Sequence, residues 1–191
     1  MGSEMCIRDR DREWTFLVHW ALSSLRTLLP DDIIRDLDRA YTDPSYPYKA
    51  DKETLPFYNG VKGTIAVQAD AIAMRRFSRT RFRRLCTRGL DIRWGKRFKD
   101  IELADGGPSK VLFGDGTTAV ADLVIGCDGS NSQVRKWLFD GLAGEVKSSN
   151  WVCCSGVVNY RSDELARFVR APHPLTAIAY LPDGLVFNAG K

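Results

Sequence analysis

The residues best placed to do chemistry form one short run, Gly126-x-Asp128-Gly129-x-x-Ser132-x-x-Arg135. It follows the apolar stretch 122–127, which reads as a buried parallel strand, and it opens a helix predicted over 133–139. Loops at the carboxyl ends of parallel strands are where doubly wound folds bind ligands. Asp128 can accept hydrogen bonds from hydroxyls, and Gly129 allows a close backbone approach. Ser132 can cap a helix whose first-turn N–H groups would meet an anion. The same residues also describe a well-capped turn that binds nothing, and both readings stand on physics alone.

Other constellations carry less. Gly114-x-Gly116-x-x-Ala119 matches the dinucleotide fingerprint as a string, but Thr-Thr-Ala-Val forms strand, so no helix dipole meets a phosphate. It reads as a hairpin turn. His19 sits among apolar neighbours in a strand-like run and reads as a packed, hydrogen-bonded histidine. Cys153 and Cys154 are adjacent in a predicted strand, where alternation sends them to opposite faces as two small buried hydrophobes. No Ser-His-Asp set, carboxylate pair or ligand cluster occurs, so no catalytic side chain is marked. With only His19 and His173, no histidine-based metal site is expected.

Charge is concentrated. Arg75, Arg76, Arg79, Arg81, Arg83, Arg84 and Arg88 fall in one stretch without an acid, although the whole chain is only +4. The remainder is therefore mildly acidic. Met74, Phe77, Phe82, Leu85 and Cys86 recur at near-helical spacing and predict one helix with a buried side. Arg75, Arg79 and Arg83 would share a face of it. Such a stripe is either a solvated helix face or a footprint for RNA or another polyanion.

The elements that must position these residues follow from pattern. Residues 14–20 read as strand, and 21–29 as a short helix stopped by Pro30. Asp31 or Asp32 can cap a second helix to about Ala40. A loop covers 41–54, and 55–68 form a hairpin around Asn59-Gly60. After the arginine-rich helix, Gly89 closes the turn, and short strands are predicted at 90–94, 101–104 and 110–113. Beyond Ala143 come strands at 151–160, 177–181 and 185–188, with a helix near 162–170.

The 191 residues are 44% hydrophobic and 27% charged, which excludes a disordered or fibrous chain. No apolar run is long enough to span a membrane. Five cysteines without a Cys-x-x-Cys suggest neither a disulfide scaffold nor a zinc site. With no targeting signal in view, a cytoplasmic location is the default expectation. The first 12 residues are patternless, and SEMCIRDR resembles the peptide made when a sequencing-library adapter is translated in frame.

Asp122-Leu-Val-Ile-Gly-Cys-Asp-Gly-Ser-Asn-Ser-Gln-Val-Arg135 resembles the Asp-Gly motif of single-component, FAD-dependent monooxygenases of the aromatic-hydroxylase type. That family carries an R-x-x-L-x-x-x-L helix about forty residues upstream, where this chain has Arg79-x-x-Phe82-x-x-x-Cys86. Residues 14–30, with their His-Trp, are similar to fungal-type members and to tetracycline-inactivating relatives. The resemblance implies that Arg79 contacts FAD near its phosphate and ribityl portion. It also implies that Gly126, Asp128 and Gly129 serve FAD and NAD(P)H, with Ser132 and Arg135 bracing the loop.

The implied fold is α/β: a partial, doubly wound FAD/NAD(P)-binding domain with a mainly antiparallel β substrate domain. Residues 1–12 would be a non-native leader, 13–148 the partial FAD domain (with 41–70 contributing to the substrate domain) and 149–191 the start of the substrate domain. The family's N-terminal G-x-G-x-x-G and later Gly-Asp segment are absent, so the chain reads as a fragment expected to show little activity alone. The implied function is hydroxylation of a small aromatic or polycyclic substrate with FAD, NAD(P)H and O2, with no nucleic-acid or membrane partner. A halogenase or epoxidase of the same superfamily, and a polyanion-binding module, are the alternatives.

Overall fold

The structure is a computed structural model that describes residues 14–48, 53–71, 74–139, 141–154, 156, 158–173 and 175–190. The leader assigned to residues 1–12 lies outside them. Two compact units are present: residues 1–90 with 156–191, and residues 91–155.

In the first unit, β1 (Thr15–Val18) pairs antiparallel with β4 (Arg75–Ser78). Between them in sequence lie α1 (Ala21–Leu28), α2 (Asp31–Arg35), a 3-10 turn at Leu37–Ala40, and the hairpin of β2 (Thr54–Asn59) and β3 (Ile65–Asp70). Asn59 builds the turn, its Oδ1 accepting from the N–H of Val61 and Lys62 at 3.0 Å. β2 also pairs in parallel with β8 (Thr176–Tyr180), which pairs antiparallel with β9 (Val186–Gly190). The four-stranded sheet thus runs β3-β2-β8-β9. The unit also contains α3 (Arg79–Cys86) and α5 (Asp163–Arg170).

The core of this unit centres on Phe77, which is fully buried with Phe82, Tyr41 and Phe16 rings at 5.1, 5.0 and 5.6 Å. Leu22, Ile33, Leu37 and Leu85 complete it. A second buried cluster gathers Leu55, Ala71, Met74 and Leu175.

In the second unit, β5 (Phe98–Glu102), β6 (Ser109–Phe113) and β7 (Thr118–Ala121) form an antiparallel meander, and α4 (Gln133–Leu138) follows. Gly116, at φ +82°, turns the chain between β6 and β7, so the apparent fingerprint at 114–119 is a hairpin turn.

Several expectations are corrected. Residues 75–78 are strand, not helix: Ser78 is extended and caps α3 by accepting from the Arg81 N–H at 3.2 Å. Arg75 is therefore not on a helix face with Arg79 and Arg83. Pro30, not Asp31 or Asp32, takes the cap position of α2. The two aspartates sit in its first turn, where their charge complements the dipole. That helix stops at Asp36 rather than continuing to Ala40. Residues 90–94 and 151–154 form no strand, and Cys153 and Cys154 are exposed.

Residues 123–127 join no ladder, leaving Leu123 75% and Ile125 73% exposed. A parallel strand exists only through its neighbours' hydrogen bonds, and among the described residues none lie beside it. The fold is mixed α/β with antiparallel and mixed sheets, and the one parallel pairing among the described residues is β2 with β8.

Candidate functional site

The Asp-Gly loop is organised by α4. Asp128 Oδ1 accepts from the Ser132 hydroxyl, and Oδ2 accepts from the N–H of Gln133 at 2.6 Å and of Val134 at 3.3 Å. Burial pushes the Asp128 carboxyl up, but these donors together outweigh it and hold the group below the usual carboxylate range. Ser132, itself buried, caps the same helix by accepting from the Arg135 N–H at 2.9 Å. The first-turn donors of α4 are thus largely taken by the protein's own oxygens.

Arg135 ties the loop from the other side. Its Nε donates to Gly144 O at 3.1 Å, and its terminal nitrogens donate to Gly129 O at 3.3 Å and Ser130 O at 2.5 Å. The two glycines differ in what they allow. Gly129 has φ +83° and open space where a Cβ would stand, so it supplies both the turn and an uncovered backbone. Gly126 instead lies under α4, and a Cβ there would come within 2.8 Å of the Val134 Cβ. Its want of a side chain serves helix packing.

Arg79 lies in the other unit, as the first residue of α3. Its backbone N–H donates to Trp14 O at 2.8 Å. Its side chain is half-buried, and no partner for the guanidinium is found among the described residues. Most of the neighbouring arginines have structural work. Arg75 stacks over the Tyr48 ring at 4.1 Å, and Arg76 Nε donates to the Thr15 hydroxyl at 2.8 Å. Arg81 donates to the carbonyls of Tyr41 and Thr42, Arg88 pairs with Asp36, and Arg83 is likewise engaged. A guanidinium at a helix N-terminus faces the positive pole of the dipole, an arrangement that a bound anion relieves. Arg79 is thus a guanidinium able to meet an anion, and Gly129 an uncovered stretch of backbone.

The first unit also holds an apolar groove of about 670 Å³, floored by Leu55 and Met74 and flanked by Phe57, His19 and Trp20. His19 is half-buried there, its ring 5.5 Å from that of Trp20. Trp20 is 91% exposed at the rim. Residue patterns give no hint of this groove, because it forms between α1 and a hairpin more than 25 residues further on.

Sequence reasoning also passes over a buried polar cluster. His173 Nδ1 accepts from the N–H of Leu175 at 3.2 Å and Thr176 at 3.3 Å. Its Nε2 lies 3.3 Å from Glu53 Oε1, which also accepts from the Tyr46 hydroxyl. With Nδ1 accepting twice, the ring is neutral, and its proton resides on Nε2. Among the described residues there is no His/Cys/Asp/Glu group able to hold a metal ion, and no helix is long and apolar enough to cross a membrane.

No family model matches the chain. It is 31% identical to an FAD-dependent monooxygenase of Talaromyces islandicus over 175 residues, 92% of this chain and 43% of that protein. It is 42% identical to the 6-methylsalicylate 1-monooxygenase of Aspergillus terreus over 71 residues, 36% of this chain and 15% of that protein. Among solved structures, one described as an FAD-containing monooxygenase from Photorhabdus luminescens subsp. laumondii matches with a TM-score of 0.52 and 25% identity. The match covers 65% of this chain and 31% of that one. The chain thus spans less than half the length of the relatives it matches.

Proposed function

The chain belongs to the FAD-dependent monooxygenase family, and from that premise we propose that it is the part of a flavin hydroxylase that holds FAD and frames the pocket of a small aromatic or polycyclic substrate. The observation that carries this reading is likeness to such an enzyme along 92% of the chain. When bound, FAD would supply the redox chemistry: it would take two electrons from NAD(P)H and activate O2, one atom of which enters the substrate while the other leaves as water.

The chain's own residues bind and orient. Arg79 neutralises phosphate charge near the ribityl portion. The open backbone at Gly129 admits the cofactor, and Asp128 offers its remaining Oδ1 lone pair to a hydroxyl. Gly126, Ser132 and Arg135 keep that loop in shape. Residues 123–127 take their place in a doubly wound parallel sheet, which would cover the apolar side chains they now expose. In this reading the domain division falls near residue 148, with 41–70 serving the substrate side. The apolar groove beside His19 and Trp20 excludes water from a flat substrate, a reading supported by its lining and by the aromatic substrate named for the Aspergillus terreus relative.

The test is flavin absorption of the purified gene product that contains this chain, with and without added FAD. Bound flavin is expected, and Arg79→Ala should weaken its retention about tenfold, the usual worth of a charge-assisted contact. A colourless protein that takes up no FAD would overturn the proposal.

A further inference from the structure

The arginine-rich segment has a part that flavin binding does not use. Arg81, Arg84 and Arg88 stand on one face of α3 and its C-terminal turn. With Arg39 from the 3-10 turn, they line a concavity of about 310 Å³ floored by Ala40 and Leu85. Asp36 is its one acid. Four guanidiniums against one carboxylate leave a formal surplus of three positive charges in a space the size of a small ligand. Like charges gathered this closely repel, so the arrangement favours an anion.

Three of the four are already held in place. Asp36 pairs with Arg39 at 3.2 Å and with Arg88 at 2.5 Å, and the Arg88 hydrogen bond keeps its carboxyl below the usual range. Arg81 is fixed by the Tyr41 carbonyl at 2.7 Å and the Thr42 carbonyl at 3.4 Å. Each guanidinium carries five N–H donors, so most remain free for a ligand, and little side-chain ordering is left for binding to impose. Arg84 is exposed and has no partner among the described residues. The last turn of α3 opposes an anion with roughly half a negative charge, well short of the surplus.

We propose that this concavity binds a phosphate dianion, free or as the terminal group of a monoester, through Arg84, with Arg39, Arg81 and Arg88 as its preordered wall. Planar guanidiniums match phosphate oxygens two at a time, which suits a terminal phosphate better than a phosphodiester. No aromatic ring lines the site, so it lacks the stacking platform by which single-stranded RNA is held. The phosphate comes either from a nucleotide or from the free ion. The site does not depend on flavin.

The experiment is calorimetric titration of the full chain, without FAD, with inorganic phosphate, adenosine 2′-monophosphate, adenosine and a single-stranded RNA. Saturable binding of one or both phosphates and none of adenosine is expected. Tighter binding of the nucleotide assigns the source to a nucleotide phosphate, and equal binding assigns it to the free ion. Arg84→Gln, at an exposed position, should weaken phosphate binding about tenfold. Arg84→Lys should recover only part of the loss, since it restores charge without the fork. An unchanged Kd in Arg84→Gln, no phosphate binding, or RNA bound more tightly than either phosphate would each overturn the proposal.

Discussion

A methyl group added at position 126 would meet Val134 inside van der Waals distance, which makes Gly126 the tightest test of how the Asp-Gly loop is built. Gly126→Ala is expected to destabilise the loop by about 1–3 kcal/mol, the usual range for overpacking. Urea unfolding followed at Trp137 reads this, since its indole N–H donates to Asp100 at 2.8 Å within the same unit. Shortening the opposing side chain in Gly126→Ala/Val134→Ala should recover most of the loss. His173 makes a second prediction, in pH. Burial lowers its folded pKa and Glu53 opposes that only in part, so the folded ring resists a proton that the unfolded ring takes near 6.5. The unfolded state then binds more protons, and stability falls as pH drops below about 6.5 while staying level above it. Thermal melts between pH 8 and 5.5 should show this decline, and His173→Gln should flatten it.

At the level of elements, α3 depends on its entry. Ser78 leaves β4 extended and caps the helix in the same residue, so Ser78→Ala should cost about 1 kcal/mol, while Ser78→Thr, which keeps the hydroxyl without burying a charge, should retain the cap. Denaturant midpoints of the two variants distinguish the outcomes. The hairpins were legible in the sequence because Asn59-Gly60 and Gly114-Asp115-Gly116 are turns wherever they stand. The start of α3 was not, since Met74 and Phe77 fit either period and the run of arginines hides the boundary that Ser78 marks. Residues 123–127 carry the composition of a buried strand, yet strand state belongs to neighbours and not to composition. The Asp128–Ser132–Arg135 loop could be read locally, because its partners lie within nine residues of one another or of the loop. The pairing of His173 with Glu53 spans 120 positions and has no periodic signature.

At the scale of the whole chain, two compact units leave many large apolar side chains uncovered, Trp20, Trp151, Val152 and Ile125 among them. Exposed apolar surface of this kind drives association. Sedimentation of the 191-residue chain is expected to show concentration-dependent self-association. Substituting Ile125 and Val152 by Lys should reduce it without lowering the melting temperature. The parallel pairing of β2 with β8 has a different bearing, on the order of events during synthesis. The meander β5–β6–β7 is local and complete once residue 121 has left the ribosome. β2 must wait for β8, which is translated more than 115 residues later, a delay of about 10 s at ordinary elongation rates. Throughout that interval one edge of the β2–β3 hairpin stands open, so the nascent chain is a natural client for whatever shields unpaired strands at the exit tunnel.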